Sequence, residues 1–110
     1  MPRHLLTDFE LMILLAILRI GEEAYGVQIA RVIDETGGRR VLLGAAYTAL
    51  EHLERNGLVA SRIGSPTPGR GGRAKRFFRV TPRGVRAAKD TQQALVALWC
   101  DVPQLREKHT

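Results

Sequence analysis

The sequence has a single cysteine and no long apolar run. With Cys100 alone, the chain forms no intrachain disulfide, no cysteine-pair metal site and no CxxC redox motif, and we expect Cys100 to be a small buried hydrophobic residue. The longest apolar run, residues 11–18, is far shorter than the ~20 residues of a membrane-spanning helix. Asp8 and Glu10 interrupt the N-terminal apolar stretch, and no small-residue cleavage site follows. We therefore expect no membrane span and no secretory signal, and a cytoplasmic protein.

Acidic residues are absent from residues 58–89, which hold nine of the 17 Lys and Arg side chains. The segments on either side, residues 1–57 and 90–110, each carry a small net negative charge, so the formal net charge of +6 arises in this middle segment. So dense a basic segment repels itself unless a polyanion neutralises it, and nucleic acid is the commonest cytosolic polyanion. The charge alone leaves two readings open, a nucleic-acid-binding segment or a solvated face that only aids solubility.

Catalytic and metal-binding patterns are also lacking. The three histidines and Cys100 lie on different predicted elements, and no motif pairs a nucleophile with a base. Cysteine and histidine residues do not cluster as they would around a metal ion. We therefore expect neither an enzyme nor a protein that depends on a metal or another cofactor.

The first predicted helix, residues 9–20, has more apolar surface than one small chain can cover. Thr7 and Glu10 have the spacing of a capping box at its start. Within the helix only Glu10 and Arg19 are charged, whereas a helix at the surface of a monomer has one apolar stripe. We expect the chain's own helices to bury one face and a second copy of the chain to cover the other. The residues assigned to this contact between copies are Phe9, Met12 and Ile13.

Two further predicted helices follow, each with one apolar face. The second extends from Tyr25 to Gly37, and the third begins at Leu43 or Gly44 and ends at Asn56. The residues expected on the outer face of the third helix are Ala45, Thr48, His52 and Arg55. Three short helices joined by glycine-containing turns, the third with a small polar outer face, are typical of a helix-turn-helix unit.

After the third helix the periodicity changes from helical to alternating. Residues 59–63 and 75–80 alternate as strands do, and the Gly- and Pro-rich residues 64–74 predict a projecting loop between them. An isolated two-stranded hairpin is marginally stable, so this one should pack on the helices through Val59, Ile63, Phe78 or Val80. A hairpin in this position with a basic loop at its tip is a wing.

Thr81 and Pro82 predict the start of a final helix that extends to about Cys100. Along it, apolar residues recur with heptad spacing, interrupted by one polar residue. The seam is too short for an independent coiled coil but suits a dimer contact. Its members are Val85, Ala88, Gln92, Leu95 and Trp99.

The third helix is expected to enter the major groove of DNA, because small residues near its start let the backbone approach the bases. Ala45 can contact only thymine methyl groups, whereas Thr48 and His52 can reach base edges. The ring of Tyr47 can pack inward while its hydroxyl reaches a phosphate. The alternatives stay open that Tyr47 is an ordinary half-buried aromatic residue and that His52 has no role.

The wing is expected to contact the minor groove or the phosphates. Arg70 and Arg73 flank Gly71 and Gly72, whose flexible backbone lets the two side chains adjust. The basic residues assigned to the base of the wing are Lys75 and Arg76. Beyond it, Arg83 and Arg86 lie near the start of the final helix, where the macrodipole disfavours positive charge. A nearby phosphate would offset that cost, or solvent would screen it.

Four stretches, in this order and spacing, resemble PadR-family transcriptional regulators: residues 23–26, 44–47 with Leu50, 53–59 and 69–84. The resemblance spans roughly residues 5–100. It implies a homodimeric winged helix-turn-helix protein, usually a repressor, that dimerises through its first and last helices and often responds to an inducer. We expect a DNA-binding domain over residues 1–80 and a dimerisation helix with a tail over residues 81–110, forming one compact unit.

Two departures from the family pattern bear on the DNA contacts. Leu42 and Leu43 stand where the family usually has a serine before the recognition helix, so that capping side chain is missing. Phe77 and Phe78 stand where the family usually has two tyrosines, and we expect the arginines to carry the affinity that two hydroxyls would have supplied.

Trp99, the only tryptophan, has two possible roles at the dimer axis. Some multidrug-sensing proteins that the chain resembles hold flat aromatic compounds between such residues, which implies a small aromatic effector. The other reading is that Trp99 only fills the dimer interface. A winged helix that binds RNA or a protein instead of DNA is the remaining alternative.

Overall fold

The computed structural model describes residues 5–64 and 75–106. The described elements, in chain order, are α1 (Asp8–Ile20), β1 (Ala24–Tyr25), α2 (Gly26–Gly37), α3 (Leu43–Arg55), β2 (Val59–Ile63), β3 (Arg76–Val80), α4 (Pro82–Trp99) and a short 3-10 helix (Pro103–Leu105). This is the mainly helical winged-helix class that the sequence predicts, and each predicted helix begins and ends within one residue of its expected bounds. No described helix has both the length and the apolar character needed to cross a membrane.

Side-chain caps set the starts of α1 and α4. The Thr7 hydroxyl accepts a hydrogen bond from the Glu10 amide at 3.2 Å, and the Thr7 amide donates to the Glu10 carboxylate at 2.8 Å, which completes the predicted capping box. At the start of α4 the Thr81 hydroxyl accepts from the Gly84 amide at 3.1 Å. Such caps each stabilise a helix by about 1 kcal/mol. The two helices proposed to join two copies therefore begin at defined residues.

The sheet has three strands in the order β1–β3–β2, not the two strands that the sequence predicts. Ala24 and Tyr25 pair antiparallel with Phe78 and Phe77. Two residues are too few to show alternation, so sequence periodicity could not reveal β1. Because β3 pairs with β1 as well as β2, backbone hydrogen bonds join the hairpin to the two residues that immediately precede α2.

The core lies between the three N-terminal helices and one face of the hairpin. Its largest fully buried side chains are Ile13, Leu14, Ile17, Ile29, Leu50, Leu53, Leu58, Val59 and Phe78. Val59 and Phe78 therefore hold the hairpin against the helices, as expected, with Val80 partly buried beside them. Ile63 does not share this role, because it lies at the far end of β2 and remains 67% exposed.

The first half of α4 packs on α1 through small residues. The buried positions of the helix are Gly84, Ala87, Ala88 and Thr91. The Thr91 hydroxyl accepts a hydrogen bond from the Leu6 amide at 2.9 Å and donates to the Ala87 carbonyl at 2.8 Å. Beyond Thr91 the helix leaves the body of the chain. Cys100, expected to be buried, is therefore exposed.

Candidate nucleic-acid interface

The outer face of α3 is exposed and small, as the sequence predicts. Ala46, Leu50 and Leu53 are fully buried, whereas the opposite face is open to solvent. The exposed residues of that face include Ala45, Thr48, His52 and Arg55. Three of the residues predicted to contact DNA thus share one surface of one helix.

Polar contacts within the chain already orient two of these residues. The Thr48 hydroxyl donates to the Gly44 carbonyl at 3.0 Å, so its one hydrogen is used within the helix. The His52 Nε2 atom lies 3.6 Å from a Glu10 carboxylate oxygen and 3.2 Å from the Asn56 side-chain amide nitrogen. His52 is accordingly held between α1 and the end of α3 while over half of its side chain remains exposed.

Tyr47 packs against the start of α2. A Cβ atom placed on Gly26 would lie 2.5 Å from the Tyr47 ring carbon Cζ and 2.6 Å from its hydroxyl oxygen. A larger residue at position 26 would therefore force the Tyr47 ring to move. The sequence predicts an inward-packed Tyr47 but does not identify Gly26 as its partner.

Arg76, predicted to contact DNA, is bound to α3 within the chain. Its guanidinium pairs with the Glu54 carboxylate on α3 and donates to the Ser61 hydroxyl on β2 at 3.1 Å. The Ser61 hydroxyl in turn donates to Glu54 at 2.6 Å. We call Glu54, Ser61 and Arg76 the helix–wing network. It joins α3 to both wing strands. The sequence did not indicate Glu54 or Ser61, because they meet Arg76 only after folding, from 22 and 15 positions away.

Aromatic rings hold two further cations at the base of the wing. The Lys75 ammonium lies 4.3 Å from the Tyr25 ring centroid, and the Arg62 guanidinium lies 4.7 Å from that of Phe77. The two rings meet edge to face, with centroids 6.3 Å apart. Each cation–ring contact contributes about 0.5–1 kcal/mol when exposed. Phe77 is thus a platform for a cation, whereas Phe78 is buried in the core and has no access to a phosphate.

Arg83 lies beside the last turn of α3. One of its guanidinium nitrogens is 3.7 Å from the position that a Cβ atom on Gly57 would occupy. Gly57 follows α3 with a positive φ of 77°, which favours glycine. The carboxyl end of a helix attracts positive charge, so α3 offsets the cost of placing Arg83 at the start of α4. The end of α3 is thus a third source of compensation, beside the phosphate and the solvent screening expected from the sequence.

A second exposed surface lies between α1 and α4. Leu11, Leu15 and Leu18 of α1 face Val85, Ala88, Lys89 and Gln92 of α4 across a groove of about 280 Å³. Ala88, assigned from the sequence to the contact between copies, lies at the floor of this groove and is buried within its own chain. Leu15 and Leu18 are about half exposed, and beyond the groove Leu95 and Trp99 are more than half exposed. We call these α1 and α4 residues the α1–α4 face.

The side of α1 that is open to a partner differs from the side that the sequence predicts. Ile13, assigned from the sequence to the contact between copies, is fully buried in the core of its own chain, so that assignment is wrong. Phe9 is partly buried under the Arg39 guanidinium, and Met12 is partly buried in a groove that α1 forms with α2. Spacing alone could not orient α1, because apolar residues surround the helix. The exposed α1 residues that the sequence did not indicate are Leu15 and Leu18, and the partly buried Leu11 lines the same groove.

The predicted wing-tip contacts, Arg70, Gly71, Gly72 and Arg73, lie outside the described residues. Of the predicted wing contacts that are described, Lys75 is exposed and Arg76 belongs to the helix–wing network.

The fold is similar to those of several solved regulators. A transcriptional regulator from Clostridium thermocellum has a TM-score of 0.71 and 21% identity over 89% of this chain and 92% of its own. A PadR-like transcriptional regulator from Bacillus cereus has a TM-score of 0.70 and 20% identity over 92% and 93%. A complex structure of hsRosR-S4 has a TM-score of 0.64 and 27% identity over 92% of this chain and 80% of that one.

A search of curated proteins gave no match to the sequence. The family model of the PadR-like transcriptional regulators, in contrast, matches residues 14–90. This span contains most of α1, all of α2 and α3, the wing and the first half of α4. It covers both the exposed face of α3 and the network that joins α3 to the wing. The chain belongs to the PadR-like family of transcriptional regulators.

Proposed function

We propose that the protein is a homodimeric transcriptional repressor that binds duplex DNA, with α3 in the major groove and the wing on the adjoining backbone. One observation carries this proposal. The exposed face of α3 is made of small residues, and the helix–wing network holds α3 beside a basic wing. Winged-helix regulators place such a helix in the major groove. Repression and homodimerisation are typical of the family.

The contacts divide into two kinds. Ala45, Thr48 and His52 are the proposed base contacts, because they share the exposed face of α3. Tyr47 is proposed to contact a phosphate at the edge of that face. The proposed wing contacts, which would supply most of the affinity through phosphates, are Arg70, Gly71, Gly72, Arg73 and Lys75. We assign Arg76 to positioning the wing, since its guanidinium has protein partners.

The α1–α4 face is the proposed dimer contact. Four of its apolar side chains, Leu15, Leu18, Leu95 and Trp99, are exposed, and no other part of the described chain covers them. In a two-fold dimer the same face of each copy forms the contact, and the two α3 helices are held at the spacing of two half-sites. Residues 1–80 would then form the DNA-binding unit, and residues 81–110, together with α1, would join the copies.

A small planar aromatic effector is a further proposal. Trp99 is 61% exposed at the end of α4, so a symmetric contact would bring two such rings near the dimer axis. A compound inserted between them would change the spacing of the half-sites and release DNA. Trp99 as an interface residue without a ligand is the simpler alternative.

An electrophoretic mobility shift with a duplex of the promoter of the protein's own gene, competed by RNA of the same sequence, tests the proposed function. We expect a shifted complex that duplex DNA displaces and RNA does not. Log affinity should fall with log salt by about 0.9 for each phosphate neutralised. Equal competition by RNA, or no shift with any duplex, would favour the RNA-binding or protein-binding alternative.

A further inference from the structure

The face of the sheet that points away from the helices carries a cluster of positive charge. Because side chains alternate along a strand, Phe77 and Arg79 lie on the opposite face of β3 from the buried Phe78. Their partners on β2 are Arg62, which pairs with Phe77, and Ala60, which pairs with Arg79. Both arginines are exposed. We call Ala60, Arg62, Phe77 and Arg79 the outer sheet face.

The two arginines of the outer sheet face are close enough to repel each other. The register places Arg62 and Arg79 at diagonal positions on adjacent strands, which are roughly 7–8 Å apart in an antiparallel pair. Neither β2 nor β3 contains an acidic residue. On the inner face of the sheet, in contrast, Arg76 has Glu54 as its partner. An anionic partner would therefore stabilise the outer sheet face.

Aromatic contacts hold one of these cations in place. The Arg62 guanidinium lies over the Phe77 ring, and the Tyr25 ring supports Phe77 edge to face. A side chain that is already ordered loses less conformational entropy when it binds a partner. A groove of about 160 Å³ lies beside this arginine, with Ala60, Phe77 and Arg79 among the residues that line it. The groove thus combines apolar groups with cations, which suits an acidic segment that also contains apolar side chains.

Two observations favour a protein partner over nucleic acid. The first is that α3 lies on the inner side of the sheet, where Glu54 bonds to Ser61 and Arg76, so the outer sheet face points away from α3. The second is that Glu22 lines the groove. Every unit of a nucleic-acid backbone is negative and would be repelled there, whereas a protein segment can present a neutral or basic residue to Glu22.

We propose that the outer sheet face binds an extended acidic segment of another protein. Its carboxylates would pair with Arg62 and Arg79, and an apolar side chain would enter the groove beside Phe77. This surface is separate from the DNA contacts proposed on α3, so the protein can hold DNA and a protein partner together. Binding here goes beyond the proposed function and does not require it.

Fluorescence anisotropy with the full chain tests the proposal. The probe is a fluorescein-labelled peptide of Glu-Val repeats, and a peptide of Gln-Val repeats is the uncharged comparison. We expect saturable binding of the Glu-Val peptide alone. The double variant Arg62→Gln with Arg79→Gln should bind it about tenfold more weakly, because an exposed ion pair contributes about threefold at each arginine.

The matched control is the double variant Arg31→Gln with Arg86→Gln, which removes the same charge from exposed positions on α2 and α4. It should bind the peptide as tightly as the unmodified protein does. Both double variants are also titrated with duplex DNA, and the Arg62 and Arg79 variant should lose no more duplex affinity than the control loses.

Three results would overturn the inference. The first is the absence of saturable peptide binding. The second is an equal loss of peptide binding in both double variants, which would show that only net charge matters. The third is a greater loss of duplex affinity in the Arg62 and Arg79 variant than in the control, which would place the outer sheet face on DNA. If no duplex binds at all, the proposed function fails, while the peptide titrations still decide this inference.

Discussion

The Glu54 carboxylate on α3 forms an ion pair with the Arg76 guanidinium at the start of β3. The two residues are 22 positions apart, and the Ser61 hydroxyl bonds to both. Both side chains remain about one-third exposed, so the pair stabilises the fold only modestly. Its main consequence is geometric, because it holds the proposed recognition helix and the wing in one orientation.

Glu54→Gln should weaken binding to a specific duplex by about two- to fivefold, equivalent to roughly 0.5–1 kcal/mol. The reason is that losing the ion pair lets the wing move relative to α3. Fluorescence anisotropy with a labelled duplex measures the change. Glu51→Gln is the control, since Glu51 is exposed on the same helix. If Arg76 instead acts directly on a phosphate, Glu54→Gln should free it and strengthen binding.

Gly84→Ala and Gly44→Ala should change stability in opposite directions. A Cβ atom on Gly84 would lie 2.1 Å from the Leu58 carbonyl oxygen, so we expect overpacking that destabilises the fold by about 1–3 kcal/mol. At Gly44 the added methyl is in open space, and alanine should stabilise the helix by up to about 1 kcal/mol. Urea unfolding measures both variants. A Gly84→Ala variant as stable as the unmodified protein would contradict the close approach of α4 to Leu58.

Thr91→Val should destabilise the protein by about 1–3 kcal/mol, because it leaves the buried Leu6 amide without its acceptor. Thr48→Val is the matched control. The Thr48 hydroxyl makes the same bond to a carbonyl four residues earlier but is exposed. We expect little change from the control in thermal or urea unfolding. Equal effects of the two substitutions would show that the bond to Leu6 contributes nothing.

Leu18→Arg should shift the protein from dimer to monomer in sedimentation velocity, because it places a charge in the proposed apolar contact. Since Leu18 is about half exposed, the substitution should leave the fold of each chain intact. Ile63→Arg serves as the control, an exposed apolar residue on β2 that does not line the α1–α4 groove. A Leu18→Arg variant that remains dimeric would show that the dimer contact lies on another surface of the chain.

Trp99→Ala should raise the dimer dissociation constant and loosen DNA binding, since a tryptophan buries about 150–250 Å² in a packed contact. The effector role predicts a different pair of results. In that case the variant stays dimeric, and planar aromatic cations quench the fluorescence of the unmodified protein saturably and release DNA. A dimeric variant without saturable quenching would contradict both roles.

The order of elements and the bounds of the helices followed from local signals. Thr7 with Glu10 and Thr81 with Pro82 marked two helix starts, and the buried positions of α3 followed from apolar residues three and four apart. The candidate surface on α3 could be predicted for the same reason, because the periodicity that identifies the buried face also identifies its opposite.

The missed features depend on parts of the chain that meet only after folding. β1 exists because Ala24 and Tyr25 reach the free edge of β3, where they pair with Phe78 and Phe77, 54 and 52 positions later. Two residues carry no strand pattern of their own. The sequence could not predict which face of α1 is buried, because leucine and isoleucine occur all round the helix. Only the packing of α1 against α2, α3 and α4 decides that Ile13 is buried and Leu15 is exposed.

By itself, the sequence determined the features that depend on residues close together in the chain: the caps, the helix lengths and the alternation of the wing strands. It also determined the concentration of positive charge between residues 58 and 89, which is a matter of composition. Only the tertiary structure decided the partner of Arg76, the close contact between Tyr47 and Gly26, and the face of α1 that stays open. The physical reason is that a side chain's charge and size specify what it can bind, whereas the packing of distant elements decides which partner comes within reach.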